Sequence, residues 1–159
     1  MRLLARLKIA VIDTTFARVD MAKYVIEEIK RLDPNIEITR ITVPGIKDLP
    51  GAAKRAISQH NCDGVITLGW VGKEFVDKLS YVATSIGLMI VGIMTDKVII
   101  DVTIHEDESD DPKNLKKIAE DRSRKHARNL VLMLKNPEYL SKFAGRGLRQ
   151  GYGDVGPIV

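Results

Sequence analysis

Hydrophobic and polar positions along this chain follow two patterns in turn, one typical of β-strands and one typical of amphipathic α-helices. Strands are predicted at residues 7–13, 36–43 and 64–68, which are rich in β-branched residues. The first run is continuously apolar, as expected of a strand buried on both faces, whereas the second alternates apolar and polar residues. Between the first two runs, apolar residues recur at the three- and four-residue spacing of an amphipathic helix. The members of that set are Ala22, Val25, Ile26, Ile29 and Leu32. The chain is therefore predicted to begin with strand, helix and strand.

The same two patterns continue through the rest of the chain. Further helices are predicted at residues 49–59, 75–86 and 112–134. Residues 88–94 and 98–105 are predicted as two more strands, with Gly87 ending the helix before them. From about residue 137 a short helix and a glycine-rich tail follow.

Strands that alternate with helices of this length predict βαβ units, which cross over right-handedly onto a parallel sheet. We therefore predict an α/β fold, a three-layer αβα sandwich with a mainly parallel, flavodoxin-like sheet. One domain is expected over residues 1–159, because this length supports one full core. Ligands bind at the carboxyl ends of such strands. The loops expected at that edge are residues 13–19, 43–48, 69–74 and 95–96.

Composition narrows the class of protein. The chain is 45% apolar and 29% charged, which is typical of a soluble globular protein. Its apolar runs are interrupted often enough that no segment is expected to span a bilayer. Residues 1–13 are interpreted as the first strand and not as a signal peptide, because no long apolar region or small-residue cleavage site follows the basic residues. Cys62 is the single cysteine, so a reducing, cytoplasmic location is expected.

The net charge of +4 comes largely from basic residues at 113–128. On a predicted helix with mixed charges, such residues usually form a solvated face. Nucleic-acid binding would call for aromatic residues among them, and that stretch has none. We expect no nucleic-acid or membrane partner. If the basic helix face is not simply solvated, the alternative is that it binds a partner subunit or an anionic ligand.

The loop at residues 13–19 offers one aromatic ring and several polar groups. Phe16 is either a hydrophobic plug over the following helix or a surface on which a flat ligand stacks. Thr14 and Thr15 are expected to cap that helix, with ligand binding as the alternative. Asp13 is a candidate catalytic group, although an aspartate at a strand end often binds local backbone donors instead.

The turn at residues 43–50, VPGIKDLP, is the most informative stretch of the chain. Pro44 and Gly45 force a bend after the second strand. Asp48 is expected to cap the next helix, which carries a proline in its first turn. A stiff turn of this kind displays backbone groups where ligands bind in α/β sheets.

The loop at residues 69–74 places Trp70 and Val71 between two glycines, which allow close backbone approach. Neither a phosphate-binding loop nor a dinucleotide fingerprint is present. Trp70 is predicted to form a second aromatic wall opposite Phe16. Together the two rings would hold a planar heterocycle.

An acidic segment follows the last predicted strand. His105 with Glu106 and Asp107 is either an acid–base or metal-binding group, or an acidic helix start favoured by the helix dipole. The spacing of a tight metal site is absent, so no metal site is predicted. No Ser-His-Asp or Cys-His set is evident either.

Several segments in the same order resemble one enzyme family. The turn at 43–50 resembles the ribityl-binding turn of lumazine synthases, and nearly the whole chain resembles their relatives, the archaeal-type riboflavin synthases. The other segments that carry the resemblance are IDTTFARVDMA (12–22), IGLMIVGIMT (86–95), IHEDE (104–108) and AGRGLRQG (144–151). Their shared order makes the resemblance specific.

The resemblance implies a transferase reaction of riboflavin biosynthesis. Two molecules of 6,7-dimethyl-8-ribityllumazine would dismutate, one passing a four-carbon unit to the other, to give riboflavin and 5-amino-6-ribitylamino-pyrimidinedione. No redox cofactor would be required, and a divalent cation such as Mg²⁺ is left open. The resemblance also implies a homopentamer with active sites between neighbouring subunits.

The loops and the resemblance together define the candidate site residues. Phe16 matches the aromatic residue that stacks on the substrate ring, and Ile46 to Asp48 match the ribityl-binding turn. The predicted substrate-binding residues are Thr14, Thr15, Phe16, Pro44, Gly45, Ile46, Lys47, Asp48, Trp70, Val71 and Thr95, and the predicted catalytic residues are Asp13, His105 and Glu106. Thr95, His105 and Glu106 are expected to reach the site from the adjacent subunit.

Two departures from the lumazine synthase pattern bear on the activity. Asp48 stands where those enzymes usually carry glutamate. No histidine occurs at residues 74–75, where they carry a catalytic one. The missing histidine favours the riboflavin synthase branch. The alternatives are a lumazine synthase, a non-catalytic lumazine- or flavin-binding protein, and a flavodoxin-like regulatory module.

Overall fold

The computed structural model describes residues 5–158. Residues 1–4 and 159, the ends of the predicted domain, lie outside the described residues. In chain order the strands and α-helices are β1 (Lys8–Thr14), α1 (Met21–Leu32), β2 (Glu37–Val43), α2 (Leu49–His60), β3 (Gly64–Val71), α3 (Phe75–Thr95), β4 (Val98–His105) and α4 (Pro112–Lys135). Short 3₁₀ segments lie at Ile46–Asp48, Glu106–Glu108 and Pro137–Phe143.

The four strands form one parallel sheet in the order β2-β1-β3-β4. Helices α1 and α4 pack together on one face, and α2 and α3 pack together on the other. The predicted three-layer α/β sandwich is confirmed. Because all strands are parallel, their carboxyl ends meet at one edge, and the loops after β1, β2 and β3 lie there together.

The two central strands explain why the apolar runs are continuous. Alternate residues of a strand point to opposite faces of the sheet. Ile9 and Val11 of β1 therefore join the core beneath α1 and α4, while Ala10 and Ile12 join the core beneath α2 and α3. Each fully buried aliphatic side chain of this size contributes about 1.5–3 kcal/mol. The prediction that the first strand is buried on both faces is correct, and β3 is buried on both faces as well.

The segment at 88–94 is helical, so its prediction as a strand is wrong. Helix α3 runs without a break from Phe75 to Thr95. Gly87 does not end it. A Cβ atom at Gly87 would lie 2.8 Å from Cγ of Pro50 in α2, so this glycine permits close contact between the two helices. A continuous apolar run fits a buried strand and a buried helix equally well, and packing decided between them.

Strand β3 is longer than predicted. It extends to Val71, so Gly69, Trp70 and Val71 lie within the strand and not in a loop. Their register partners on β4 are Thr103, Ile104 and His105. This extension places the end of β3 beside the candidate catalytic residues of β4.

Helix α3 also overturns the prediction that no segment is apolar enough to cross a membrane. By length and composition it meets that condition, with 17% of its most apolar window buried. A single helix of this kind is weak evidence for a membrane span. Its buried residues are Thr84, Leu88 and Val91, and the last two belong to the core beneath α2 and α3. Its exposed large apolar residues, here called the α3 apolar face, are Phe75, Val76, Leu79, Val82, Ile86, Met89, Ile90, Ile93 and Met94.

Candidate active site

A cavity of about 490 Å³ lies at the carboxyl edge of the sheet. It is enclosed by the loop after β1, the turn after β2, the end of β3 and the first turns of α3. Its lining residues are Phe16, Pro44, Gly45, Ile46, Lys47, Asp48, Trp70, Val71, Gly72, Asp77 and Ser80. A cavity of this size suits a small organic ligand. The first eight of these residues are among the predicted substrate contacts.

Phe16 lies at the mouth of this cavity with 57% of its surface exposed. A plug over α1 would be buried, so the structure favours a stacking surface. Helix α1 is capped by Asp20, whose carboxylate accepts a hydrogen bond from the Lys23 N–H at 3.3 Å. The expectation that Thr14 or Thr15 caps this helix is therefore wrong.

The two threonines hold the Phe16 loop in place. The Thr14 hydroxyl oxygen accepts a hydrogen bond from the Ala17 N–H at 3.2 Å. The Thr15 hydroxyl donates to the carbonyl of Pro44 at 3.3 Å. Neither lines the cavity within this chain. Thr15 instead joins the loop after β1 to the turn after β2.

The turn after β2 is closed by Asp48 and Gly45. The Asp48 carboxylate accepts from the Gly45 N–H at 3.2 Å, and the Asp48 N–H donates to the Gly45 carbonyl at 3.1 Å. Asp48 occupies the N-cap position of α2, but its side chain makes no capping hydrogen bond there. The predicted capping role is wrong, since the carboxylate stabilises the turn instead.

Gly45 has no structural need to be glycine in this conformation. Its backbone is extended, with φ −151°, which any residue adopts. A Cβ atom there would meet no atom within 4 Å. Gly45 therefore leaves open space in the cavity wall, where a ligand can approach the backbone.

Trp70 borders the cavity but does not offer a free ring. It is 2% exposed and packs in the core beneath α1 and α4. Its indole Nε1–H donates to a carboxylate oxygen of Glu106. The prediction of a second aromatic wall opposite Phe16 is wrong within one chain. Trp70 and Val71 nevertheless lie at the cavity, where their backbone can contact a ligand.

Glu106 connects three parts of the site. One carboxylate oxygen accepts from Trp70 at the end of β3, and the other accepts from the guanidinium of Arg18 in the Phe16 loop. Glu106 does not line the cavity. Its observed contacts support the position of the loop, and its catalytic role stays a prediction.

Asp13 is buried and its carboxylate is fully engaged. One oxygen accepts from the Thr42 hydroxyl at 2.6 Å, and the other accepts from Arg40 at 2.7 Å. Arg40 also donates to Asp20 at 3.0 Å, so the same guanidinium holds both ends of the Phe16 loop. Asp13 does not line the cavity, and its catalytic role likewise stays a prediction.

His105 lies behind the cavity, at the end of β4. Its Nδ1 is 3.0 Å from Nζ of Lys78, and its ring meets the ring of Tyr81 edge-on at 4.8 Å. Partial burial and the nearby charge of Lys78 lower the pKa of His105 below its ordinary 6.5. His105 is not among the residues that line the cavity of its own chain.

Thr95 lies far from this edge of the sheet. It is the last residue of α3, and its hydroxyl donates to the Val91 carbonyl at 2.7 Å. Because α3 runs back toward the start of β4, its end lies at the opposite edge. The predicted loop position after a strand is wrong, and a substrate contact would require a neighbouring copy.

The cavity also includes residues that the sequence did not indicate. Asp77 and Ser80 lie in the first turns of α3, and Gly72 precedes that helix. The Asp77 carboxylate accepts from the Glu74 N–H at 3.1 Å, in a capping arrangement. A Cβ atom at Gly72 would lie 2.3 Å from this carboxylate. The pair of acidic residues at 74 and 77 is a recognisable cap signature that could have located this wall.

No group of three or more His, Cys, Asp or Glu side chains suited to a metal ion occurs in residues 5–158. The features of the cavity that a ligand can contact are the exposed ring of Phe16, the polar turn after β2 and the uncovered backbone at Gly45. A parallel α/β sandwich with such a cavity at the carboxyl ends of its strands belongs to the large class of α/β ligand-binding and catalytic domains.

The particular family follows from comparison with known proteins. The sequence model of the 6,7-dimethyl-8-ribityllumazine synthase family matches residues 6–138, and the chain belongs to that family. The riboflavin synthase of Aeropyrum pernix is 58% identical over 151 residues, covering 94% of this chain and 97% of the relative. That of Archaeoglobus fulgidus is 55% identical, covering 96% and 99%. The resemblance to archaeal riboflavin synthases is confirmed.

Proposed function

We propose that this protein acts as a riboflavin synthase, a transferase that dismutates two molecules of 6,7-dimethyl-8-ribityllumazine. One molecule donates a four-carbon unit to the other. The products are riboflavin and 5-amino-6-ribitylamino-pyrimidinedione. The observation that carries this proposal is the 58% identity to a riboflavin synthase over 94% of the chain.

The cavity supports this substrate class. The exposed ring of Phe16 is suited to stack on a flat heterocycle. The turn at Gly45 and Asp48 offers open backbone and a carboxylate for the hydroxyl groups of a polyol. A substrate with a planar ring and a ribityl chain therefore matches these two parts of the cavity lining.

The chemistry requires orientation more than strong acids or bases. Holding two reactants close together in the reactive orientation can lower the activation free energy by roughly 7–11 kcal/mol. The 7-methyl group of the lumazine is itself acidic, so a weak base is sufficient. Of the three predicted catalytic residues, Asp13 and Glu106 have both carboxylate oxygens engaged by other side chains. His105 retains its Nε2 atom for a substrate.

The proposed reaction balances between its two identical substrates. The carbon unit and the electrons lost by one molecule are gained by the other. We therefore propose that no redox cofactor is required. Undiminished turnover in excess EDTA would exclude a role for Mg²⁺, whereas loss of turnover that Mg²⁺ restores would establish one.

We further propose that a second copy of this chain covers the α3 apolar face, in a pentamer as the resemblance implies. Nine large apolar residues on one exposed helix form a patch that monomers rarely display. His105 lies beside this helix and does not line the cavity of its own chain, so a neighbouring copy would complete the site. Light scattering should give five subunits for the wild type and fewer for Ile86→Glu.

Met133→Glu is the matched control for that variant, because Met133 is a moderately exposed apolar residue on α4 and outside the α3 apolar face. It should keep the mass of the wild type. A monomeric wild type would overturn the proposed assembly.

We also propose a cytoplasmic location, since the single cysteine is a buried free thiol.

The activity is tested by incubating the purified protein with 6,7-dimethyl-8-ribityllumazine alone. Riboflavin fluorescence should appear, with one pyrimidinedione formed for each riboflavin. A lumazine synthase would form no riboflavin from this substrate, and in a separate incubation it would consume the pyrimidinedione and a four-carbon phosphate. A carrier would quench the ligand fluorescence and form no product. Either of these last results would contradict the proposed function.

A further inference from the structure

Four titratable side chains meet at the end of β4. Lys78 and Tyr81 project from α3 toward His105, and Asp107 follows in the 3₁₀ segment after β4. Lys78 Nζ lies 3.0 Å from His105 Nδ1 and 2.8 Å from a carboxylate oxygen of Asp107. The cavity borders the same helical turns, through Asp77 and Ser80.

The Lys78 contact determines which imidazole nitrogen carries the proton. An ammonium group donates hydrogen bonds and accepts none. Nδ1 of His105 must therefore be the acceptor, and a neutral ring then carries its hydrogen on Nε2. Nε2 has no hydrogen-bond partner among the described residues.

We propose that Lys78 is a positioning residue that holds His105 as the neutral Nε2–H tautomer, so that His105 serves the reaction as a hydrogen-bond donor and not as its base. This inference rests on the proposed function. Because His105 does not line the cavity of its own chain, the donor would act on a substrate held by a neighbouring copy, where it would stabilise the negative charge that develops on the substrate ring when the methyl proton leaves. The proton itself then passes to another acceptor, such as solvent or a second substrate.

The charges around His105 support the neutral ring. Lys78 faces it from α3 and Arg122 from α4, while Asp107 and Glu108 face it from the 3₁₀ segment. Burial and the two cations oppose protonation, and the two carboxylates favour it. The net effect is a pKa below the ordinary value of 6.5.

Nuclear magnetic resonance tests the tautomer in the free enzyme. Long-range proton–nitrogen correlation of ¹⁵N-labelled protein should show Nε2–H at His105, assigned by its absence in His105→Gln. In Lys78→Met the ring should shift toward the Nδ1–H form and its pKa should rise. Lys78→Arg should restore the wild-type pattern. An Nδ1–H ring in the wild type, or no change in Lys78→Met, would overturn the proposal.

Lys73→Met is the matched control for this experiment. Lys73 is an exposed lysine that pairs with Asp110 at 3.8 Å and is not among the charged groups that act on His105. The His105 signals should be unchanged in this variant. A change as large as that of Lys78→Met would mean that general charge, not the Lys78 contact, sets the tautomer.

Kinetics test the donor role. His105→Gln keeps an N–H donor near the Nε2 position and removes the base, whereas His105→Leu removes both. If His105 is a donor, kcat should fall about 100-fold in His105→Leu and less than about 10-fold in His105→Gln. Equal losses in the two variants, or no loss in either, would overturn the role. If the wild type forms no riboflavin, the proposed function fails, while the resonance experiment still decides the Lys78–His105 relationship.

Discussion

Glu108 and Arg122 form a two-pronged ion pair, with both nitrogen–oxygen distances at 2.8 Å. The same carboxylate accepts hydrogen bonds from the His105 N–H at 2.9 Å and from the Tyr152 hydroxyl at 2.8 Å. Arg122 also donates to the carbonyl of Gln150 at 3.1 Å. The pair therefore joins the end of β4, α4 and the glycine-rich tail.

This ion pair predicts a loss of stability in acid. Burial raises the pKa of Glu108, but hydrogen bonds from Arg122, His105 N–H and Tyr152 outweigh it and lower the pKa from 4.5 to about 2. Because the pKa of Glu108 is lower in the folded than in the unfolded protein, the ionised carboxylate stabilises the folded state at pH values above about 4.5. This stabilisation is lost as the pH falls from about 4.5 toward 2. The melting temperature should fall through this window, and less steeply in Glu108→Gln.

Two variants make the test specific. Glu138→Gln changes an exposed carboxylate without an ion pair in the described residues, and should keep the wild-type pH profile. Arg122→Met leaves Glu108 without its cation and should cost about 3 kcal/mol of unfolding free energy at neutral pH. Identical acid profiles for the wild type and Glu108→Gln would contradict the assignment.

Phe16 is predicted to act on the substrate and not on the fold. Its ring is 57% exposed, so Phe16→Ala should change the unfolding free energy by less than about 1 kcal/mol. Stacking on an aromatic ring contributes about 1–3 kcal/mol, so kcat/KM should fall roughly 5- to 100-fold. Phe16→Tyr keeps the ring and should retain most activity. Normal turnover of a destabilised Phe16→Ala protein would instead indicate a packing role.

Gly45 is predicted to be required for ligand approach alone. An alanine methyl group would meet no protein atom within 4 Å, so Gly45→Ala should fold with an unchanged melting temperature. The same methyl group would occupy space in the cavity wall and should raise KM about tenfold. Gly153→Ala, at another open glycine but in the tail, should change neither quantity. An unaltered KM in Gly45→Ala would show that no ligand passes close to this backbone.

Asp48 is predicted to contribute to binding through the shape of its turn. Asp48→Ala removes the acceptor of the Gly45 N–H and should raise KM about fivefold. Because the side chain does not cap α2, the melting temperature should change little. Asp111, which caps α4 through the Lys113 N–H at 3.0 Å, is the contrast. Asp111→Ala should lose about 1 kcal/mol of stability and keep its KM.

Local sequence patterns were sufficient for the layers of this fold. The short apolar run of β1, rich in β-branched residues, was sufficient to predict a buried strand. The small buried side chains of α2, Ala52, Ala53 and Ala56, are likewise adjacent in sequence pattern and favour close packing. The bend at Pro44 and Gly45 was predicted from the proline and glycine themselves. These features depend on neighbouring residues, so they can be recognised without the rest of the molecule.

Features that depend on distant residues were not accessible in this way. The segment at 88–94 is apolar on every side, so its pattern did not distinguish a strand from a helix. In the structure it belongs to α3, which packs closely against α2 at Gly87. The indole of Trp70 was predicted to face a ligand, but Glu106, thirty-six residues away, binds it within the core.

The sequence by itself determined an α/β sandwich, its ligand-binding edge, the turn after β2 and the family, because each follows from periodicity, turn chemistry or ordered motifs. The tertiary structure decided which side chains are free to act. It left Phe16 exposed, engaged the carboxylates of Asp13 and Glu106, and placed Lys78 against His105. The physical reason is that hydrogen bonds between distant segments, not local pattern, determine whether a polar side chain is available to a substrate.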